Sequence, residues 1–139
     1  GSITMADLSI TAANVAKGTD STTITGTAGA TITAGQSVYL DSSDSRYKLS
    51  DANAAGTGRC DGIALNGAAA GQPLTVLISG NITIGATVAV GTIYCVSAGT
   101  GAICPLADLL SGEYIAKIGI ATTAAIISVK IHNSGVAKA

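Results

Sequence analysis

Ala34-Gly35-Gln36-Ser37-Val38-Tyr39-Leu40 and, further along, Val90-Gly91-Thr92-Ile93-Tyr94-Cys95 share one pattern: a glycine turn, then a β-branched residue followed by tyrosine. Gly35 and Gly91 are 56 positions apart, and Tyr39 and Tyr94 are 55 apart. Asp51 answers Asp108, and Gly62-Ile63-Ala64 answers Gly119-Ile120-Ala121, both at 57. Thr75-Val76-Leu77-Ile78 lines up with Ser128-Val129-Lys130-Ile131 at 53. Offsets that drift by a few residues are what loop insertions produce, and four matches in one order outweigh chance recurrence in a glycine-rich chain. The pattern predicts two copies of one β unit, at 30–79 and 84–133, closing against each other as a small β-barrel or sandwich. Neither half alone could cover both of its edges, which is a physical reason for the duplication.

Outward from these words the chain reads as all-β. Short β-branched runs alternate with Gly, Ser, Asn and Asp, and helical periodicity is almost absent. Strands are expected at 36–40, 46–49, 62–66, 74–79, 81–84, 92–97, 102–104, 114–121 and 126–132, with a single helical turn at 106–110 after Pro105. Pro73 falls just before a strand and Pro105 just after one, where a missing N–H does least harm. The 139 residues carry 47% hydrophobic positions but only 3% aromatic, with no Trp and no Phe. A core of Ala, Ile, Leu and Val suits a pleated sheet.

The ends differ in character. Gly1 to Met5 have neither the charged n-region nor the apolar run of a signal peptide, and residues 1–5 look like an expression scar. Residues 6–33 are rich in Thr, Ala, Gly and Ser, yet Leu8-Ser9-Ile10 and Thr22-Thr23-Ile24-Thr25 alternate like strands. This segment reads as an N-terminal arm that adds to a sheet edge, in its own chain or a neighbour's, or as an ordinary edge strand. On the arm reading, a chain lacking 6–33 keeps a folded body. The barrel domain is expected at 34–133, and a C-terminal tail at 134–139.

Little chemistry is on offer. Seven Lys and Arg against eight Asp and Glu leave no basic patch for a run of phosphates, so nucleic acid is not an expected partner. No apolar stretch is long enough to span a membrane. No cofactor motif opens a helix after a strand, and no GxSxG elbow exists. The one histidine, His132, ends a strand-like run and reads as solvated rather than as a general base. Cys60, Cys95 and Cys104 lack metal-ligand spacing. Asp41, Asp44 and Asp51 fall in a serine-rich turn, but the Glu of a Ca²⁺ loop is missing and Arg46 and Lys48 interrupt the run. No catalytic, cofactor or metal residue is therefore expected, and the chain is not expected to be an enzyme. In a hairpin over 92–104, Cys95 would face Cys104, as a cross-strand disulfide or, the favoured reading, as two buried thiols.

Several stretches resemble a known family. They are Ala6-Asp7-Leu8-Ser9-Ile10-Thr11-Ala12-Ala13-Asn14-Val15, the run Ala34 to Asp41, Gly62-Ile63-Ala64-Leu65-Asn66, Gly80-Asn81-Ile82-Thr83-Ile84-Gly85-Ala86 and Gly101-Ala102-Ile103-Cys104-Pro105-Leu106-Ala107-Asp108-Leu109. The resemblance is to the capsid decoration, or cement, proteins encoded beside the major capsid gene in tailed bacteriophages and prophages. It covers nearly the whole chain after the scar and rests on turn and strand words. It implies a β-barrel body on the outside of the virion head, commonly a homotrimer, gripping the major capsid protein through an extended segment. It brings no catalytic residues. The alternative is a trimeric receptor- or glycan-binding module of a tail fibre or tip, which would use Tyr39, Tyr47, Tyr94 or Tyr114 as platforms.

Overall fold

The computed structural model describes residues 7–139; the scar expected at 1–5 and the first residue of the 6–33 segment lie outside the described residues. The chain is all-β. Its strands are β1 (Val15–Lys17), β2 (Thr22–Thr27), β3 (Ser37–Asp41), β4 (Arg46–Leu49) and β5 (Gly62–Ala64). They continue as β6 (Pro73–Ile84), β7 (Ile93–Val96), β8 (Ile103–Pro105), β9 (Tyr114–Ala121) and β10 (Ile126–Ala137). Short 3-10 turns cover Ala12–Asn14 and Leu106–Asp108, the second inside the helical turn expected at 106–110.

Several strand ends differ from the sequence expectation: β5 stops at Ala64 rather than 66, and in the N-terminal segment Val15–Lys17 forms a strand while Leu8-Ser9-Ile10 does not. The strands expected at 74–79 and 81–84 are one strand, β6, which runs through Gly80. β10 continues past 132 to Ala137, into the residues expected as a tail. Ala137 pairs with Tyr114 on β9, and Lys138 N–H donates to the Glu113 carbonyl at 2.7 Å. A polar, glycine-containing end with little to bury gives no strand signal, yet a long partner strand still satisfies its backbone.

The sheet path β4-β3-β5-β6-β10-β9-β7-β8 is antiparallel, curled, and a palindrome of the repeat. β3, β4, β5 and β6 make the same neighbour pairs as β7, β8, β9 and β10, and the two units join where β6 meets β10. The register gives the equivalences residue by residue. Val38 lies opposite Gly62 and Leu49, as Tyr94 lies opposite Gly119 and Pro105. Val38 therefore corresponds to Tyr94, and Tyr39 to Cys95. The tyrosine-to-tyrosine match is off by one; two tyrosines one step apart mimic an alignment that backbone pairing does not follow. Ile63 opposite Leu77 matches Ile120 opposite Ser128, so β6 and β10 correspond at 51 and not 53. The β9–β10 turn is shorter than the β5–β6 connection, which accounts for the change.

Glycines mark both units alike. Gly35 and Gly91, just before β3 and β7, have φ of +93° and +83°, a conformation an L side chain resists. Gly62 and Gly119 serve a different need. A Cβ on Gly62 would lie 2.2 Å from Val76 Cγ1, and one on Gly119 would lie 2.1 Å from the Ser128 carbonyl oxygen. Both let the next strand approach.

Two apolar cores result. One gathers Ala28, Ile32, Val38, Tyr47, Ala64, Ala68, Leu74 and Val76 inside the first unit. The other, larger, fills the second unit and includes Tyr94, Val96, Ile103, Ile118, Ile127 and Val129. Adjacent residues of β5 and β6 face opposite ways: Ala64 and Val76 into the first core, Ile63 and Leu77 into the second. The β5–β6 pair is a wall between the cores, buried on both faces, which is the period-two alternation of a strand used twice.

The N-terminal segment is laid on its own chain. β2 pairs with β6 over residues 22–27, and Ala28 then bridges Tyr47, so hydrogen bonds run from β2 through β6, β5, β3 and β4 back to Ala28. β1 pairs with the far end of β6, Thr11 N–H donates to the Gly85 carbonyl, and Leu8 N–H donates to the Ile103 carbonyl beside β8. The segment thus straps both units. Because Ala28 and Ile32 are fully buried core members, a body lacking 6–33 would lose a wall and part of its core, contrary to the expectation that it folds alone.

Candidate interaction surface

His132, the three aspartates and the cysteines are dispersed over the molecule. His132 sits exposed on β10, opposite Lys117 of β9. The side chains lining its groove are Ile93, Lys117, Ile120, Ser128 and Lys130, with no carboxylate among them. Asp41 and Asp44 both bind Lys48, at 2.9 and 3.1 Å, and the Lys48 and Ser43 contacts hold the Asp41 carboxyl well below the usual carboxylate range. Asp51 is elsewhere: its Oδ1 accepts from Asn53 N–H and its Oδ2 from the Thr100 hydroxyl. The turn that carries the three aspartates therefore does not bring them together. Among the described residues no three His, Cys, Asp or Glu gather as metal ligands, and no helix is long and apolar enough to cross a membrane.

The cysteines are buried free thiols. Cys95 and Cys104 lie directly opposite each other on β7 and β8, as the hairpin reading expected. Burial pushes Cys60 and Cys104 up to about 12 and Cys95 up to about 11. Such thiols act as small hydrophobes. Tyr39, Tyr47 and Tyr94 are buried, and Tyr114 is half-buried. The Tyr94 hydroxyl accepts from Ala89 N–H, and Arg59 lies over the Tyr39 ring at 4.8 Å.

Several polar groups join the units or tie the strap to them. Asn133 of β10 accepts from Cys60 N–H and donates to the Cys60 carbonyl, so one side chain imitates a strand pairing across the junction. The Ser97 hydroxyl donates to Asp7, tying the strap to the β7–β8 hairpin. Tyr114 N–H donates to the Ala52 carbonyl, and Ala52 N–H to that of Ser97.

Six large apolar side chains face outward among the described residues. Ile24, Leu40, Val90, Leu110, Ile120 and Val136 are exposed, Val90 and Val136 by 66% and 58%. Ile24 and Leu40, with Tyr47, Ile78, Arg59 and Asp61, line a groove of about 510 Å³ on the first unit. The groove at His132, about 260 Å³, belongs to the second unit. Leu110 and Val136 flank a third place, where Gly112 N–H donates to the Lys138 carbonyl. Sequence reading missed both grooves, because the signal lies in which repeat positions stay uncovered. No known protein family matches the chain, and neither a curated protein nor a solved structure matches it.

Proposed function

We propose that this is a non-catalytic structural protein of a tailed-phage virion, binding the outer surface of the head against the major capsid protein, as a homotrimer, and stabilising the shell. The observation that carries the reading is the set of exposed large apolar side chains on a body with only 11% charged residues. Water-facing polarity comes from hydroxyls and amides, which suits a surface meant to be covered by a large partner or by copies of itself. The sequence resemblance to capsid decoration proteins points the same way. Shell attachment would run through Leu110 and Val136, each exposed and two residues from the Gly112–Lys138 hydrogen bond. Individually modest contacts, about 800 Å² on each partner, sum to firm attachment on a multivalent lattice.

The test uses empty shells assembled from the major capsid protein encoded beside this reading frame. The full chain is expected to co-sediment with them in a saturable, fixed ratio to capsid subunits, and Leu110→Asp with Val136→Asp to lose most of that binding while keeping the circular dichroism of the parent. Neighbouring genes for tail fibres, or a chain that stays in the supernatant at saturating shell concentration, would overturn the reading. The tail-fibre alternative wants exposed aromatic platforms, and three of the four tyrosines are buried.

A further inference from the structure

The contact between the two units repeats a pattern whose other half is left open. Inside the chain, the outer face of the first unit, with Cys60, Ile63 and Leu77 fully buried, joins the core of the second unit. That core holds Val96, Ile103, Ala116, Ile118 and Val129, each 3% exposed or less. Carrying each residue to its repeat equivalent, by register where the strands pair and by counting back from the matched Gly62 and Gly119 before β5, turns Cys60, Ile63 and Leu77 into Lys117, Ile120 and Ser128. All three line the groove of the second unit. The same operation turns Val96, Ile103, Ala116, Ile118 and Val129 into Leu40, Tyr47, Arg59, Asp61 and Ile78, and all five line the groove of the first unit. The two open grooves are the unused counterparts of the two surfaces that meet inside the molecule.

We propose that these grooves bind each other between copies of this chain: the Ile93 and Ile120 face of one copy enters the Ile24, Leu40 and Ile78 groove of the next, repeating the internal packing head to tail. The charges agree with that occupant. Where the internal contact is apolar, the open faces carry Lys117 and Lys130 on one side and the Arg59–Asp61 pair on the other, with Asp41 and Asp44, both bound to Lys48, in the turn next to it. Lys117 and Lys130 form no ion pair within the chain, among the described residues. Asp61 makes its contacts to Leu40 N–H and Arg59 through Oδ2, which leaves Oδ1 to meet an incoming ammonium. Ile120 and Leu40 are 42% and 38% exposed, surface that such a contact would cover. A head-to-tail contact is heterologous, so it closes into a ring when its rotation permits, and a trimer is one such ring. The contact deepens the trimer of the preceding reading but needs no shell, so its failure and that of head binding are separately visible.

Sedimentation velocity on the full chain tests it. The parent is expected to form a discrete oligomer at concentrations up to about 100 μM, above the micromolar constants at the weak end of standard interfaces. Ile120→Asp and Leu40→Asp, each altering one exposed face, are each expected to sediment as monomers with unchanged circular dichroism. Mixed in equal amounts, they are expected to form a heterodimer and nothing larger, because one intact groove and one intact face remain between them. A monomeric parent, a variant that stays oligomeric, or a mixture that stays monomeric would overturn the proposal. Lys117→Asp combined with Asp61→Lys guards against misfolding at either apolar site: it is expected to restore the oligomer that each single change weakens, and no recovery would count against the contact.

Discussion

Gly62 and Gly119 do the same job in the two units, and a single methyl group tests it. A side chain at Gly119 meets backbone of β10, which cannot swing aside as a flexible side chain can. Gly119→Ala is expected to destabilise the chain by about 1–3 kcal/mol, the usual cost of overpacking. Urea denaturation measures it, and an unchanged midpoint would contradict the close approach. The buried thiols make a second prediction. An unfolded thiol ionises near 8.5, whereas burial holds these three at about 11 to 12. Their contribution to stability is therefore full below about pH 8.5 and is lost as pH rises toward the folded values. The melting temperature is expected to fall from about pH 9 upward, and a disulfide reagent at pH 8 to leave native chain unmodified while reacting with all three cysteines in denaturant. Rapid native labelling would contradict their burial. Asp41 works in the opposite direction: a carboxyl held below its unfolded value near 4 stabilises the fold above that pH and ceases to as pH falls further. Asp41→Asn is expected to flatten the acid limb of the stability curve without moving the alkaline one, and an unchanged acid limb would contradict the Lys48 pairing.

At the level of elements, the strands announced themselves where β-branched runs are bounded by glycine, as at β3, β7 and β9. The pairing that makes them a sheet was legible because the words recur in order. Two features were not. Tyr39 and Tyr94 look equivalent by letter, but only hydrogen-bond register distinguishes Val38 from Tyr39 as the partner of Tyr94. The strap reads as an arm or an edge strand, and its share in the core stays hidden because Thr, Ala and Gly give a weak hydrophobic signal. Its contribution lies in backbone pairing to β6 and in two small buried residues, Ala28 and Ile32. Of the candidate surface, the sequence displayed Ile120 and Lys117 as ordinary strand residues. Their significance depends on Ile63 and Cys60 being covered while they are not. Removing residues 6–33 is now expected to abolish the cooperative thermal transition, read by far-ultraviolet circular dichroism. A truncated chain with the parent's transition would show that the strap is dispensable.

At the scale of the molecule, two small units share a wall, a strap and several crossing side chains, among them Asn133, Asn53 and Thr100. On the proposed function such a body acts by holding its neighbours, and linkage makes the consequence measurable, since a protein that binds the intact shell and not the disrupted one raises the shell's stability. The most direct measurement is the thermal disruption of empty heads with and without saturating amounts of the chain, followed by light scattering. Decorated heads are expected to come apart at a higher temperature, with an increase that saturates at the binding ratio. Heads that fail at the same temperature whether bare or fully occupied would contradict the account.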